Sequence, residues 1–237
     1  MIRLLKSAFF IVFFSLFALL SGCFDSSQPA PVVDAWYQKG AASNFYIVRR
    51  GDTIYSIAFS FGLDYRELAA ANNLNPPYPI TSGERLIMTH RPPSQTPQRA
   101  LVTPRIQYTT EPTVYYSSGW LRPAKGRLVQ GFSRSPEGHP GISIAGQLGE
   151  PIRASASGTV VYSGDGVRGY GNLIIIKHND SYLSAYAFNQ ENLVVVGDQI
   201  QAGSVIARMG QNDAGRTLLY FEIRRNGVPV NPLRFLQ

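Results

Sequence analysis

The chain has 237 residues and a formal net charge of +7, with 22 basic and 15 acidic side chains. This length suits two small domains better than one compact domain. Cys23 is the only cysteine, which excludes an internal disulfide and leaves its thiol available for another modification.

The first 22 residues have the pattern of an export signal. Arg3 and Lys6 precede an apolar run from Ala8 to Leu20, and the letters LSGC close this segment at Cys23. The run is shorter than the roughly 20 residues of a membrane span, which favours a cleaved lipoprotein signal over an uncleaved anchor or a secreted protein with an incidental cysteine. We predict a mature chain that begins at Cys23 and carries lipid there. Because Phe24 follows instead of aspartate, we expect the protein on the periplasmic face of the outer membrane.

Residues 23–43 contain Pro, Ala and Ser without a sustained apolar period, and we interpret them as a stalk. A βααβ unit is predicted over residues 44–90. The strand YIV leads into the turn RRGD, and the apolar residues Ile54, Ile57, Ala58 and Phe61 follow at the i, i+3, i+4, i+7 spacing of a helix. The DYRE segment predicts the capped start of a second helix, and RLIM predicts a second strand.

This unit resembles the LysM domain in its GDTI start, its NNL segment and its ITSGERL ending. The resemblance implies binding of N-acetylglucosamine-containing glycan, and hence of peptidoglycan, in a shallow groove between the first turn and the proline loop. The alternative is that these residues only build the two loops. The residues predicted to line this glycan groove are Gly51, Asp52, Thr53, Ile54, Asn75, Pro76, Tyr78 and Ile80.

Residues 91–119 hold five prolines and no lasting period, and they predict an extended linker. Over residues 91–134 there are 7 basic residues and 1 acidic residue. Such a segment could bind nucleic acid, but the export signal argues against that partner. A solvated tether near anionic envelope polymers or lipid headgroups is the simpler interpretation.

Residues 120–237 consist of short apolar runs separated by glycines. The continuous run Ile174–Ile176 is typical of a strand buried on both faces, and HNDS after it predicts a hairpin turn. We expect a β-sandwich or rolled sheet of seven or more strands. The predicted fold class is therefore multidomain and mainly β, with a small α+β domain before it.

From about residue 121 to 236 the segments GHPGISIAG, GYGNLIIIKHNDSYLSAYA and YFEIRRNGVPVNP resemble successive blocks of the LytM, or lysostaphin-type, metallopeptidase domain. In active members three ligands hold zinc and two histidines assist catalysis. The matching ligand places here are His139, Ser143 and Tyr220, and the catalytic places are Phe188 and Leu218. Serine and tyrosine are poor zinc donors at neutral pH, so we predict no metal, no cofactor and no catalysis.

The order of lipoprotein signal, LysM, linker and degenerate LytM domain resembles the NlpD and EnvC type of murein hydrolase activator. The resemblance implies activation of a periplasmic N-acetylmuramoyl-L-alanine amidase, by capture of an amidase helix, for septal peptidoglycan splitting and daughter-cell separation. We call the predicted binding residues the partner groove: His139, Ser143, Tyr170, Phe188, Leu218, Tyr220 and Arg224. Three alternatives stay open, namely a zinc endopeptidase with an atypical site, a passive tether from outer membrane to cell wall, and a collapsed core filled by Phe188 and Leu218.

Overall fold

The structure is a computed structural model that describes residues 44–88, 119–134 and 140–237. The predicted signal, the whole stalk with Cys23, most of the linker, and His139 lie outside the described residues. All described residues belong to one compact unit. We call residues 44–88 the small domain and the remaining described residues the large domain. Within these ranges no helix has the length and apolar character that a membrane crossing requires.

The small domain is the predicted βααβ unit. Its elements are β1 (Phe45–Ile47), α1 (Ile54–Phe61), α2 (Tyr65–Ala71) and β2 (Arg85–Ile87), with β1 and β2 antiparallel. Thr53 caps α1 by accepting a hydrogen bond from the Ser56 amide, and the Ser56 hydroxyl accepts one from the Thr53 amide. Gly62 ends α1 in the left-handed region at φ 66°, where a residue without Cβ is favoured.

The large domain is one ten-stranded sheet whose neighbouring strands pair antiparallel. The main path runs β3–β4–β11–β8–β7–β6–β9, while β10 pairs with β5 and β8, and β12 pairs with β11. The strands are β3 (Arg127–Gln130), β4 (Ile142–Ala145), β5 (Pro151–Arg153), β6 (Gly158–Gly164), β7 (Asn172–Lys177), β8 (Tyr182–Asn192), β9 (Gln199–Ile200), β10 (Val205–Met209), β11 (Leu218–Arg225) and β12 (Val228–Val230). A 3-10 turn, Pro232–Arg234, follows β12.

The mainly β prediction is confirmed, and so is the two-sided burial of the isoleucine run. Along β7, Ile174 and Ile176 join one apolar core, while Leu173 and Ile175 join a second one on the opposite face. All four side chains are fully buried. The face of Leu173 and Ile175 continues without a break into the apolar core of the small domain. The small domain is therefore packed onto one face of the large sheet.

Candidate functional site

The partner groove is built on the sheet face that the small domain covers. Side chains alternate between the two faces of a strand, so Leu218, Tyr220, Glu222 and Arg224 on β11 all point to this face. Tyr220 lies opposite Ser143 of β4, which brings the second and third zinc-ligand places side by side. The structure thus brings together two of the three positions that match ligand places in the LytM pattern.

Aromatic rings fill the groove around Tyr220. The centroid of its ring lies 5.8 Å from the Tyr170 ring and 6.4 Å from the Phe188 ring. Phe188 has φ 62°, an uncommon value for a bulky residue, and its amide donates to the Tyr170 carbonyl at 2.9 Å. A Cβ on Gly141 would lie 2.6 Å from the Tyr220 ring, so this glycine makes room for the phenol.

A buried chain of polar contacts runs along β11 away from the rings. The Tyr220 hydroxyl donates to Glu222 Oε2 at 2.9 Å, and Arg224 Nε donates to Glu222 Oε1 at 2.6 Å. Arg224 and Glu222 are each 1% exposed, so this ion pair is almost completely removed from water. Burial, followed by the Glu222 charge, raises the pKa of Tyr220 well above its usual range, which keeps the hydroxyl protonated.

Helix α1 of the small domain closes the groove at its Arg224 end. Arg224 Nη1 donates to the Phe59 carbonyl at 2.8 Å, and its guanidinium lies 3.7 Å from the centre of the Phe59 ring. The Phe59 ring also packs edge-on against Tyr170, with centroids 5.3 Å apart. Tyr170, Phe188, Leu218, Tyr220 and Arg224 are consequently buried, and in this arrangement the groove is not open to a partner.

A second contact between the domains lies at the β11–β12 turn. Gly227 has φ 75°, and a Cβ at this position would lie 2.6 Å from the Asp64 amide nitrogen. Beside it, Arg66 Nη2 donates to Asn226 Oδ1 at 3.0 Å. Only a residue without a side chain allows this close approach of the two backbones.

Several predicted glycan-groove residues build the first turn of the small domain. Asp52 Oδ2 accepts from the Tyr46 hydroxyl and from the Arg49 amide, both at 2.8 Å. Thr53 caps α1, Ile54 is buried in the core, and Gly51 adopts φ 86°. Their side chains therefore shape the turn, in line with the structural alternative given above for these positions.

The residues of the proline loop are more exposed to solvent than those of the first turn. Asn75 and Pro76 are exposed, while Tyr78 and Ile80 are partly buried against the core of the small domain. The Tyr78 ring lies 6.2 Å from the Tyr55 ring and 5.9 Å from the Tyr65 ring. Sequence reasoning did not select Tyr55 and Tyr65, although a tyrosine outside the apolar stripe of a short helix is a signal for a second contact.

Comparison with known proteins finds a matching family model for each of the two domains. The family model for the LysM domain matches residues 46–89, and the model for peptidase family M23 matches residues 137–232. The lipoprotein NlpD/LppB homolog of Pseudomonas aeruginosa is 40% identical, covering 92% of this chain and 88% of its own length. The chain belongs to the NlpD/LppB lipoprotein family.

Two further family members come from Escherichia coli K12. The uncharacterized lipoprotein YgeR is 37% identical over 98% of this chain and 93% of its own length. The murein hydrolase activator NlpD is 37% identical over 84% of this chain and 69% of its own length. The predicted similarity to NlpD-type lipoproteins with LysM and M23 domains is thereby confirmed.

The residues of this NlpD/LppB family member do not fit the zinc of an M23 peptidase. At the ligand places, the Tyr220 hydroxyl is engaged by Glu222, and the buried Ser143 hydroxyl lies 3.5 Å from Gln130 Oε1. At the catalytic places, the side chains of Phe188 and Leu218 have no atom that could bind a metal or transfer a proton. Among the residues that the structure describes, no group of three or more His, Cys, Asp and Glu side chains could hold a metal ion. No step of the proposed function therefore passes through zinc.

His178 has a structural environment at the start of the β7–β8 turn. Its Nδ1 donates to the Ser157 carbonyl at 2.8 Å, and its Nε2 lies 2.7 Å from the Ser184 hydroxyl. The Trp120 ring packs edge-on at 4.5 Å. Burial lowers the pKa of His178 from 6.5 to about 4, because the charged form loses hydration.

We expect the free energy of unfolding to decrease as the pH is lowered from 6.5 to about 4, because of the lowered pKa of His178. In that window the unfolded chain binds a proton that the folded chain does not, so protons favour unfolding. The loss is up to about 3 kcal/mol, since one pKa unit corresponds to about 1.4 kcal/mol. Urea unfolding at a series of pH values measures it. The control is His178→Gln, which should show a shallower decline, and an equal decline in both chains would contradict the assignment.

Proposed function

We propose that this protein is a non-catalytic, peptidoglycan-binding lipoprotein that activates a periplasmic N-acetylmuramoyl-L-alanine amidase. The small domain holds glycan, and the partner groove of the large domain holds a helix of the amidase. The outcome is peptidoglycan splitting at the septum and separation of daughter cells. Membership of a family whose relatives include murein hydrolase activators supports this proposal.

The observation that carries the proposal is the state of the old peptidase site. At the places that match this site, β4, β8 and β11 pair in register around Tyr220 and Ser143. By the resemblance, Phe188 and Tyr220 stand where active members have histidines, and the buried Arg224 lies on the same face. Aromatic and arginine side chains dominate binding surfaces. A largely apolar sheet face of this kind suits an amphipathic helix.

The cover formed by α1 sets a condition for this function. A partner helix and Phe59 compete for the same side chains, Tyr170 and Arg224. The partner therefore binds only when the small domain moves away from the groove, and its affinity is reduced by the fraction of molecules that are covered. Activation is then a population shift between covered and uncovered arrangements of one chain.

The same proposal extends to the parts of the chain outside the described residues. Residues 1–22 act as the signal, Cys23 carries the lipid, and residues 23–43 form the stalk. Residues 91–119 link the small domain to residues 120–237. Lipid on Cys23 holds the protein on the periplasmic face of the outer membrane, while the linker lets the two domains separate without dissociating.

Reconstitution with an amidase tests the function. A chain produced from residue 24 onward is mixed with dye-labelled sacculi, alone or with each amidase of the same cell. We expect no dye release by the chain alone and strong stimulation of one amidase. Tyr220→Ala should lower the stimulation about tenfold, the effect of losing a central buried aromatic contact.

Retention of sacculus binding by Tyr220→Ala shows that the small domain is intact in this variant. Absence of stimulation with every amidase would end the proposal. Dye release by the chain alone, together with stoichiometric zinc in the purified protein, would favour the endopeptidase alternative. Unchanged cell separation after deletion of residues 121–237 would favour the passive tether.

A further inference from the structure

A cleft of about 520 Å³ separates the proline loop of the small domain from the large domain. One wall contains six of the eight predicted glycan-groove residues, from the first turn and the proline loop. The other wall comes from three places in the large domain: β6, the end of β7 with its turn, and the turn before β9. Its volume lies within the roughly 300–1,000 Å³ of typical ligand sites.

The wall from the small domain is aromatic. Tyr55, Tyr65 and Tyr78 line the cleft and touch one another, and the Tyr55 and Tyr65 centroids lie 4.6 Å apart. Burial raises the pKa of Tyr55 and of Tyr65 to about 12, so both hydroxyls stay protonated donors at neutral pH. Aromatic rings with polar tips suit a ligand that has both apolar C–H faces and hydroxyl groups, as a sugar ring has.

The wall from the large domain also combines apolar surface with polar groups. Val196 is 53% exposed and supplies apolar surface, while Thr159 supplies a hydroxyl. Lys177 donates to Asp180 Oδ1 at 2.9 Å at the rim of the cleft. The Tyr65 hydroxyl lies 3.5 Å from the Asp180 carbonyl oxygen, so the two walls meet there.

We propose that the large domain supplies the second wall of the saccharide site, so that a peptidoglycan glycan strand is gripped between the two domains. This inference rests on the proposed function for the choice of glycan as ligand. The wall built by Thr159, Lys177 and Val196 binds the side of the sugar chain that faces away from the tyrosines. Neither domain alone forms the complete site.

The geometry has a regulatory consequence. A ligand that contacts both walls favours the arrangement in which both walls are present, and in that arrangement α1 covers the partner groove. Glycan and amidase helix are therefore antagonistic ligands, and each lowers the affinity for the other by the same factor. Soluble glycan fragments hold the protein in its covered state.

A pair of neighbouring valines tests the second wall. Val196 lines the cleft, whereas Val195 is 66% exposed and is not part of its lining. In the chain from residue 24 onward, Val196→Asp places a carboxylate against the bound sugar, and we expect the affinity for N-acetylchitohexaose to fall about tenfold. Val195→Asp adds the same charge one residue away and should leave that affinity within about twofold of wild type. Isothermal titration calorimetry measures all three proteins.

Tyr78→Ala is the reference for the first wall and should also weaken binding. If it does while Val196→Asp binds like wild type, the small domain binds glycan alone and the second wall is refuted. Equal losses in both valine variants, or no binding by wild type, would also overturn the inference. The amidase assay without oligosaccharide decides the proposed function separately.

Added N-acetylchitohexaose should lower the stimulation by wild type and leave the amidase alone unaffected, and a rise in stimulation would refute the antagonism.

Discussion

A Gly227→Asn variant will stimulate the cognate amidase more strongly than the wild-type chain. Any Cβ at this position lies 2.6 Å from the Asp64 amide nitrogen, so the small domain must shift to accommodate it. Asparagine tolerates the left-handed backbone at φ 75°, which keeps the β11–β12 turn in place. A penalty of about 1–2 kcal/mol on the covered arrangement changes its ratio to the uncovered one about 5- to 30-fold. Dye release from labelled sacculi at limiting activator concentration measures the gain.

Gly215→Asn is the matched control for this experiment. Gly215 has φ 70°, close to that of Gly227, but a Cβ there meets nothing within 4 Å. We expect this variant to stimulate the amidase as wild type does. Equal behaviour of the two variants would mean that the contact between the domains does not limit activation, and that the covered groove has no regulatory role.

Arg224→Ala will destabilise the folded chain by about 3–5 kcal/mol, because it leaves a buried carboxylate without its partner. Glu222 is 1% exposed and has Arg224 as its cationic partner at 2.6 Å. The substitution also removes the donor to the Phe59 carbonyl and the cation from the Phe59 ring. Urea unfolding followed by tyrosine and tryptophan fluorescence gives the free energy of unfolding.

The double variant Glu222→Gln, Arg224→Met separates the cost of the orphaned charge from the cost of lost packing. Glutamine keeps an acceptor for the Tyr220 hydroxyl, and methionine fills part of the volume of the arginine. We expect it to recover more than half of the stability lost in Arg224→Ala, since replacing both members of a buried ion pair is often nearly neutral. A loss below about 1 kcal/mol for Arg224→Ala, as for an exposed pair, would contradict the buried ion pair.

Local patterns were sufficient for much of the architecture. The stripe of Ile54, Ile57, Ala58 and Phe61 predicted α1, which in the structure is capped by Thr53 and ends at Gly62. Alternation of side chains along LLYFEIRR likewise places Leu218, Tyr220 and Arg224 on one face of β11. Such features follow from the sequence because helix caps and strand alternation depend on neighbours within a few residues.

Two further signals were present in the sequence but were not used. Phe59 lies on α1 outside the predicted stripe, and a helix that is apolar on a second side needs a second packing partner. Glu222 stands two residues before Arg224 on a strand, so their side chains share a face and can pair. Neither pattern identifies the surface that the residue contacts. A pattern of apolar positions indicates that a side chain is buried, but it does not indicate against which residues.

The amino-acid sequence, through its resemblance to known families, was enough to predict a LysM domain followed by an M23 domain and the mainly β fold class. Whether the groove is open could only be decided by the tertiary structure. Phe59 and Arg224 are 165 positions apart and lie in different domains, so no local propensity links them. Their contact depends on the complementary shapes of two assembled surfaces, including the space that Gly227 leaves beside Asp64 and the cleft that Val196 completes opposite Tyr78. Such complementarity exists only in the assembled chain, which is why no pattern in either segment identifies the surface on the other.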